Sequence, residues 1–138
     1  IAGEKAQFGL PEINLGIIPG AGGTQRLTRA VGKSLAMKMI LSGEFIGSKT
    51  AFASGLAAEI TPDDQTINRA IELARNIAGK SPVALEMAKQ SVLKTFETSL
   101  RDGLDFERRS FTILAATEDR EEGISAFLEK RKPDFKGR

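Results

Sequence analysis

The chain has 138 residues, with 20 basic and 18 acidic side chains, and it contains no Cys, His, Trp or Tyr. Those zeros exclude a Ser-His-Asp triad, an imidazole base, a thiolate nucleophile, a disulfide framework and a thiolate zinc site. Any chemistry must therefore use carboxylates, Lys, Arg, hydroxyls or backbone amides. A net charge of +2, without one basic block, gives no reason to invoke nucleic acid. No apolar run exceeds four residues, far short of the roughly 20 that span a bilayer, so a soluble chain away from membranes is expected. Ile1 is not an initiator Met, and the expectation is a piece of a longer protein.

In chain order, residues 5–8 read as a short strand, and residues 11–15 as a single turn with Pro11 at its first position. After the glycine-rich loop 16–23, Thr24 is expected to cap a helix through Arg29 that closes near Gly32. Residues 34–41 read as a helix with Gly43 as its left-handed stop, and Ser48 as the cap of a turn or two ending at Gly55. Residues 44–46 and 56–60 are the other strand candidates. The rest reads as helices. Ile67, Ala70, Ile71, Ala74 and Ile77 recur at helical spacing behind Asp63 and Asp64, and Ser81-Pro82 opens a second helix. A third runs over about 98–116, with Leu100, Leu104, Phe111 and Leu114 as its inner face. A fourth follows Thr117, with acids from Glu118 to Glu122 in its first turns, Lys130, Arg131 and Lys132 in its last, and Pro133 as its stop. Three strand fragments cannot close a sheet, so the sheet is expected in a preceding, N-terminal part of the protein.

Glu12 is the most informative carboxylate, because Phe8, Leu10, Ile13, Leu15, Ile17 and Ile18 surround it in sequence. Inside an apolar pocket, desolvation would raise its pKa and let it exchange protons near neutrality; at the surface, it would simply begin a helical turn. Gly20-Ala21-Gly22-Gly23 lacks the Gly-Lys-Ser/Thr of a phosphate loop, and Gln25 stands where a dinucleotide fingerprint needs Gly or Ala. What remains is a loop that brings a backbone N–H close to a substrate or water, or one that admits close helix packing. Phe127 with Lys130, Arg131 and Lys132 suits phosphates and an adenine ring, although cations at a helix end also complement its dipole. The acidic runs at Asp63 and Asp119 read as solvated helix starts.

Residues 4–9 (EKAQFG), 11–16 (PEINLG) and 18–27 (IPGAGGTQRL), continued by 29–37, 43–56 and 126–132, resemble the enoyl-CoA hydratase, or crotonase, family over the whole chain, most of all its short-chain mitochondrial members. The resemblance implies an α/β crotonase-like (ClpP/crotonase) spiral of strand-strand-helix units, of which this chain is the mainly α-helical C-terminal half with a few short strands. Residues 1–60 would end the core and carry Glu12 and the loop 20–23, and residues 61–138 would form a helical trimerisation region. The implied reaction is syn addition of water to a 2-trans-enoyl-CoA, giving a 3-hydroxyacyl-CoA in fatty acid β-oxidation. The CoA thioester is the substrate, with neither cofactor nor metal.

On that pattern Glu12 is the second of two catalytic glutamates, and Gly20 helps to hold the water. Phe127 and Lys130 approach CoA, bound largely by a neighbouring subunit. Homotrimers or dimers of trimers are implied, in the mitochondrial matrix or alternatively the bacterial cytoplasm. The first glutamate and the N–H pair that polarises the thioester carbonyl are expected in the N-terminal half, so the chain alone should be inactive. Leu10 departs from the Gln frequent in close relatives. Other reactions of the superfamily, such as enoyl-CoA isomerisation or acyl-CoA hydrolysis, and a non-catalytic RNA-binding or assembly role are the competing readings.

Overall fold

A computed structural model describes residues 1–138, and the chain divides into two units, Ile1–Glu72 and Leu73–Arg138. Strands are few and only two residues long. In the first unit β1 (Ala2–Gly3) pairs in parallel with β4 (Ile60–Thr61), placing Ala2 opposite Ile60. β2 (Gln7–Phe8) pairs antiparallel with β3 (Ile46–Gly47), placing Phe8 opposite Ile46. Ladders this short do not stand alone. Side-chain packing holds them, through Ala2, Ala51 and Ala57 in one cluster and Leu27, Ala36 and Met39 in another, with Ile46 and Leu56 packed against both.

Helix α1 (Gly23–Val31) runs into α2 (Lys33–Ser42) through the single residue Gly32. Its φ of 79° and ψ of 164° belong to glycine alone, and this lets its N–H close α1 on Thr28 while its carbonyl accepts the N–H of Ala36. Gly43 stops α2 in the left-handed conformation, as its position predicted.

Two expected caps are not caps. Gly22, with φ 83°, precedes α1, and Thr24 instead accepts on its carbonyl from the Thr28 hydroxyl one turn on. Gly47 precedes α3 (Ser48–Ala53), and the buried Ser48 hydroxyl donates to the Glu4 carbonyl at 2.7 Å. The expected strands at 44–46 and 56–60 shift to Ile46–Gly47 and Ile60–Thr61, because their partners at Phe8 and Ala2 fix the register.

A 3-10 turn, Asp63–Gln65, leads into α4 (Thr66–Ala78). The two units part inside α4. The Arg69 Nε donates to Glu59 at 2.6 Å, tying the start of α4 to the first unit.

The second unit contains α5 (Pro82–Lys94), α6 (Leu100–Leu114) and α7 (Glu118–Leu128), with α5 packed on α6. Each begins with a hydroxyl cap. Ser81 accepts from the N–H of Ala84, Ser99 from Asp102 and Thr117 from Arg120. The expected inner face of α6 is largely uncovered: Leu100, Leu104 and Phe111 are exposed, and Ser110 is the one buried residue of that helix. Lys130, Arg131 and Lys132 lie beyond the end of α7 rather than in its last turn.

Asp119 is not a solvated helix start either. It is buried, and its two carboxylate oxygens accept the N–H groups of Lys136 at 2.6 Å and Gly137 at 3.0 Å, while its own N–H donates to the Arg138 carbonyl. These bonds fold the tail back along α7 and set Phe135 against Gly123.

Candidate active-site turn and helix end

Glu12 sits in a 3-10 turn, Pro11–Leu15, whose ends are both fixed. Pro11 presets the backbone at the entry, and Gly16, left-handed at φ 74°, closes the exit by donating to the Ile13 carbonyl at 3.0 Å. On the entry side Leu10 packs against the Leu27, Ala36 and Met39 cluster. On the far side the Asn14 amide lies over Gly43, so close that a Cβ there would be 2.7 Å from its nitrogen.

The carboxylate so held is half-buried, and its Oε2 is shut off from solvent with no hydrogen-bond partner in the protein. Leaving a buried acceptor unpaired is costly, and native structures seldom do so without a reason. This oxygen is left open to a donor from outside the chain, such as a water or a ligand group.

Between Gly16 and α1 the chain presents an open loop. Pro19 is buried, whereas Gly20 is exposed, its N–H reaches no protein acceptor, and no atom lies within 4 Å of a Cβ built on it. The loop returns to the fold at Gly23, where a Cβ would meet Leu10 at 2.8 Å and Pro19 at 3.0 Å. Gly23 is therefore the close-packing glycine and Gly20 the accessible one, so the two readings of this loop apply to different residues. Beside it, a cavity of about 520 Å³ is lined by Phe8, Leu10, Gly23, Met39, Phe45 and Leu56; neither Glu12 nor Gly20 lines it.

Phe127 lies in the last turn of α7 and Lys130 just beyond its end, in the other unit, where the Lys130 N–H donates to the Phe127 carbonyl. Phe127 is 83% exposed, and Lys130, also exposed, is the one non-glycine residue with positive φ, at 56°. Arg131 is engaged elsewhere. Its guanidinium grips both oxygens of Glu122 at 2.5 and 2.9 Å and reaches Glu129 at 2.6 Å. That guanidinium, with the N–H of Asp134, holds the Glu122 carboxyl down at about 2. Burial pushes the Asp119 carboxyl up, but the Ser81 hydroxyl and the N–H groups of Lys136 and Gly137 outweigh it and leave it below the ordinary carboxylate range.

Sequence reasoning missed the roles of Asp119, Glu122 and Arg131. Glu122 and Arg131 pair across 9 residues, and Asp119 takes N–H groups 17 and 18 residues on, spacings that no helical periodicity signals. A second cavity, of about 480 Å³, lies between Ser81, Ala84, Phe111, Leu114, Asp119 and Phe135.

The family model described as enoyl-CoA hydratase/isomerase matches residues 1–138. The 2,3-dehydroadipyl-CoA hydratase of Escherichia coli K12 is 60% identical over 138 residues, which is the whole of this chain and 54% of that protein. The mitochondrial enoyl-CoA hydratase of Pongo abelii is 52% identical over 135 residues, 98% of this chain and 47% of the relative. Among solved structures, the enoyl-CoA hydratase of Bacillus anthracis superposes with a TM-score of 0.95 at 40% identity, over 99% of this chain and 53% of that one. The chain thus spans about half the length of the relatives it matches.

Proposed function

We propose, from the premise that this chain belongs to the enoyl-CoA hydratase/isomerase family and has the fold of the C-terminal half of its members, that the protein carrying it hydrates 2-trans-enoyl-CoA thioesters. One observation carries the reading: a carboxylate oxygen of Glu12 is buried without a partner, on a turn clamped at both ends beside an open glycine loop. In this reading Glu12, protonated, delivers its proton to the α carbon while a second carboxylate takes a proton from water, whose oxygen bonds to the β carbon on the same face. The product is a 3-hydroxyacyl-CoA, and proton exchange between the two carboxylates resets the site. The free N–H of Gly20 is suited to orient that water. The second carboxylate and the N–H pair that polarises the thioester carbonyl belong to the remainder of a family-length protein. The 138 residues alone are therefore expected to lose several powers of ten in rate and to show no measurable turnover.

Phe127 and Lys130 take the nucleotide end of CoA, bound across a trimer by a neighbouring subunit. The setting is acyl-CoA oxidation, in the mitochondrial matrix or the bacterial cytoplasm, relatives of both origins being similar to this chain. The likeness to a 2,3-dehydroadipyl-CoA hydratase supports a narrower version, in which the acyl chain ends in a second carboxylate.

The test is hydration of crotonyl-CoA and 2,3-dehydroadipyl-CoA by the full-length protein, with Glu12→Gln beside it. A fall of about 10²- to 10⁴-fold in kcat is expected for the variant. Full activity in Glu12→Gln would remove Glu12 from the mechanism, and double-bond migration without water uptake would replace hydration by isomerisation.

A further inference from the structure

We infer that the Glu122–Arg131 ion pair is a positioning device, which locks the turn after α7 in a left-handed conformation so that the Lys130 ammonium and the Phe127 ring are held out together toward a base-bearing polyphosphate, the nucleotide end of a CoA thioester. The inference rests on the ligand assignment above and adds the two residues that hold its binding groups.

The turn is a Schellman motif. Glu129 caps α7, the N–H of Lys130 donates to Phe127 at 3.3 Å, and the N–H of Arg131 donates to Ala126 at 3.0 Å. The residue after the cap must be left-handed, and glycine normally occupies that place because a Cβ is penalised there. Here it is Lys130, at φ 56°. The ammonium forms no ion pair or hydrogen bond within the protein. Fold stability therefore does not account for a lysine at this position, whereas presentation of a free cation from a fixed point does.

The clamp has the same logic. Arg131 closes a two-pronged bond on Glu122, one turn into α7, and its Nε bonds Glu129, the residue just before Lys130. The N–H of Asp134 also donates to Glu122, on the Oε1 that Arg131 holds, at 2.8 Å. Residue 130 is thus bracketed on both sides by groups tied to the helix body. Exposed ion pairs contribute little stability, but a planar fork engaged at both ends fixes geometry. Of the three cations after α7, Arg131 is engaged by carboxylates while Lys130 and Lys132 are not, and of these two only Lys130 sits in the turn, its N–H bonded to the carbonyl of the exposed Phe127.

The experiment uses the full-length protein, with free coenzyme A and pantetheine as calorimetric probes and thermal melting as the control. Pantetheine lacks the nucleotide, so a change in general folding weakens both probes while a change at the helix end weakens only coenzyme A. Lys130→Gly is expected to raise the melting temperature by about 2 °C and to weaken coenzyme A by about tenfold, with pantetheine unchanged. Glu122→Gln, which keeps shape and loses charge, is expected to weaken coenzyme A about fivefold and leave pantetheine within twofold. Arg131→Lys should behave like Glu122→Gln, because an ammonium cannot make the two-pronged bond.

If Lys130→Ala binds coenzyme A like the parent, the ligand assignment fails, and this inference with it. If Lys130→Ala weakens coenzyme A but Glu122→Gln does not, the assignment stands and the positioning role is overturned. A lower melting temperature for Lys130→Gly, or equal losses for both probes in Glu122→Gln, also overturns it.

Discussion

Gly23→Ala tests how the fold holds the Glu12 turn. The added methyl would lie 2.8 Å from a Leu10 methyl, 3.1 Å from the other and 3.0 Å from the Pro19 Cβ, all closer than carbon atoms pack. Neither neighbour can swing aside freely, since Leu10 is packed on the Leu27, Ala36 and Met39 cluster and Pro19 is buried in a ring of fixed geometry. Overpacking of this kind costs about 1–3 kcal/mol. Replacing glycine in a helix returns up to about 1 kcal/mol, so a net loss of about 1–2 kcal/mol is expected. Activity should suffer more than stability, because Leu10 leads directly into Pro11 and Glu12 while Pro19 leads into Gly20. Displacing both flanks by even a fraction of an ångström is expected to lower kcat for crotonyl-CoA by about tenfold or more.

The assay is urea unfolding and steady-state hydration in the full-length protein, with two comparisons. Gly20→Ala has open space around its Cβ and should unfold like the parent. Combining Leu10→Ala with Gly23→Ala makes room for the methyl, and the double variant should be less destabilised than the sum of the two by about 1 kcal/mol. Indistinguishable stability and rate in Gly23→Ala and Gly20→Ala, or strict additivity in the pair, would refute the proposed contact.

The C-terminal unit carries an acid sensitivity with a definite sign. Glu122 ionises near 2 in the fold against about 4.5 when unfolded, and Asp119 is likewise lowered, so below about pH 4.5 the unfolded chain binds more protons and stability falls as pH drops toward 2. Melting temperatures across pH 2–6 should show this loss and Glu122→Gln should flatten it; a parallel curve for the variant would contradict the pairing. Ser81→Ala removes the acceptor of the Ala84 N–H and the hydroxyl beside Asp119, and should cost about 1 kcal/mol in urea unfolding through the cap alone. Unchanged stability in that variant would show that water caps α5 equally well.

What was legible in the sequence is what is local. Ser81 caps α5 and Thr117 precedes α7 because a hydroxyl there reaches an N–H three residues on, and Gly43 stops α2 because its own φ must be positive, whereas Ser99, inside the helix expected over 98–116, is the cap that starts α6 at Leu100. Thr24 and Ser48 have the same chemistry but not the same role. Gly22 already turns the chain into α1, and Glu4, 44 residues away, takes the Ser48 hydroxyl. The Glu12 turn was readable from Pro11 and Gly16, but the loss of solvent around its Oε2 depends on packing by distant elements. Asp119 shows the limit most clearly. In sequence it is one acid among four near a helix start, and only the returning tail, 17 and 18 residues on, makes it a buried anchor.

The uncovered apolar residues have a consequence for the life of the polypeptide in a cell. Twenty-two large hydrophobic side chains are exposed, from Leu15 and Ile18 near the loop to Leu100, Phe111 and Leu128 among the helices, whereas Met39 is the only large one fully enclosed. Chaperones and quality-control proteases engage such surfaces, and similar surfaces on neighbouring molecules adhere to one another. The abundance of these residues as a separate product is then governed by how fast their greasy faces are sheltered, so synthesis without a sheltering partner should yield rapid turnover or inclusion bodies.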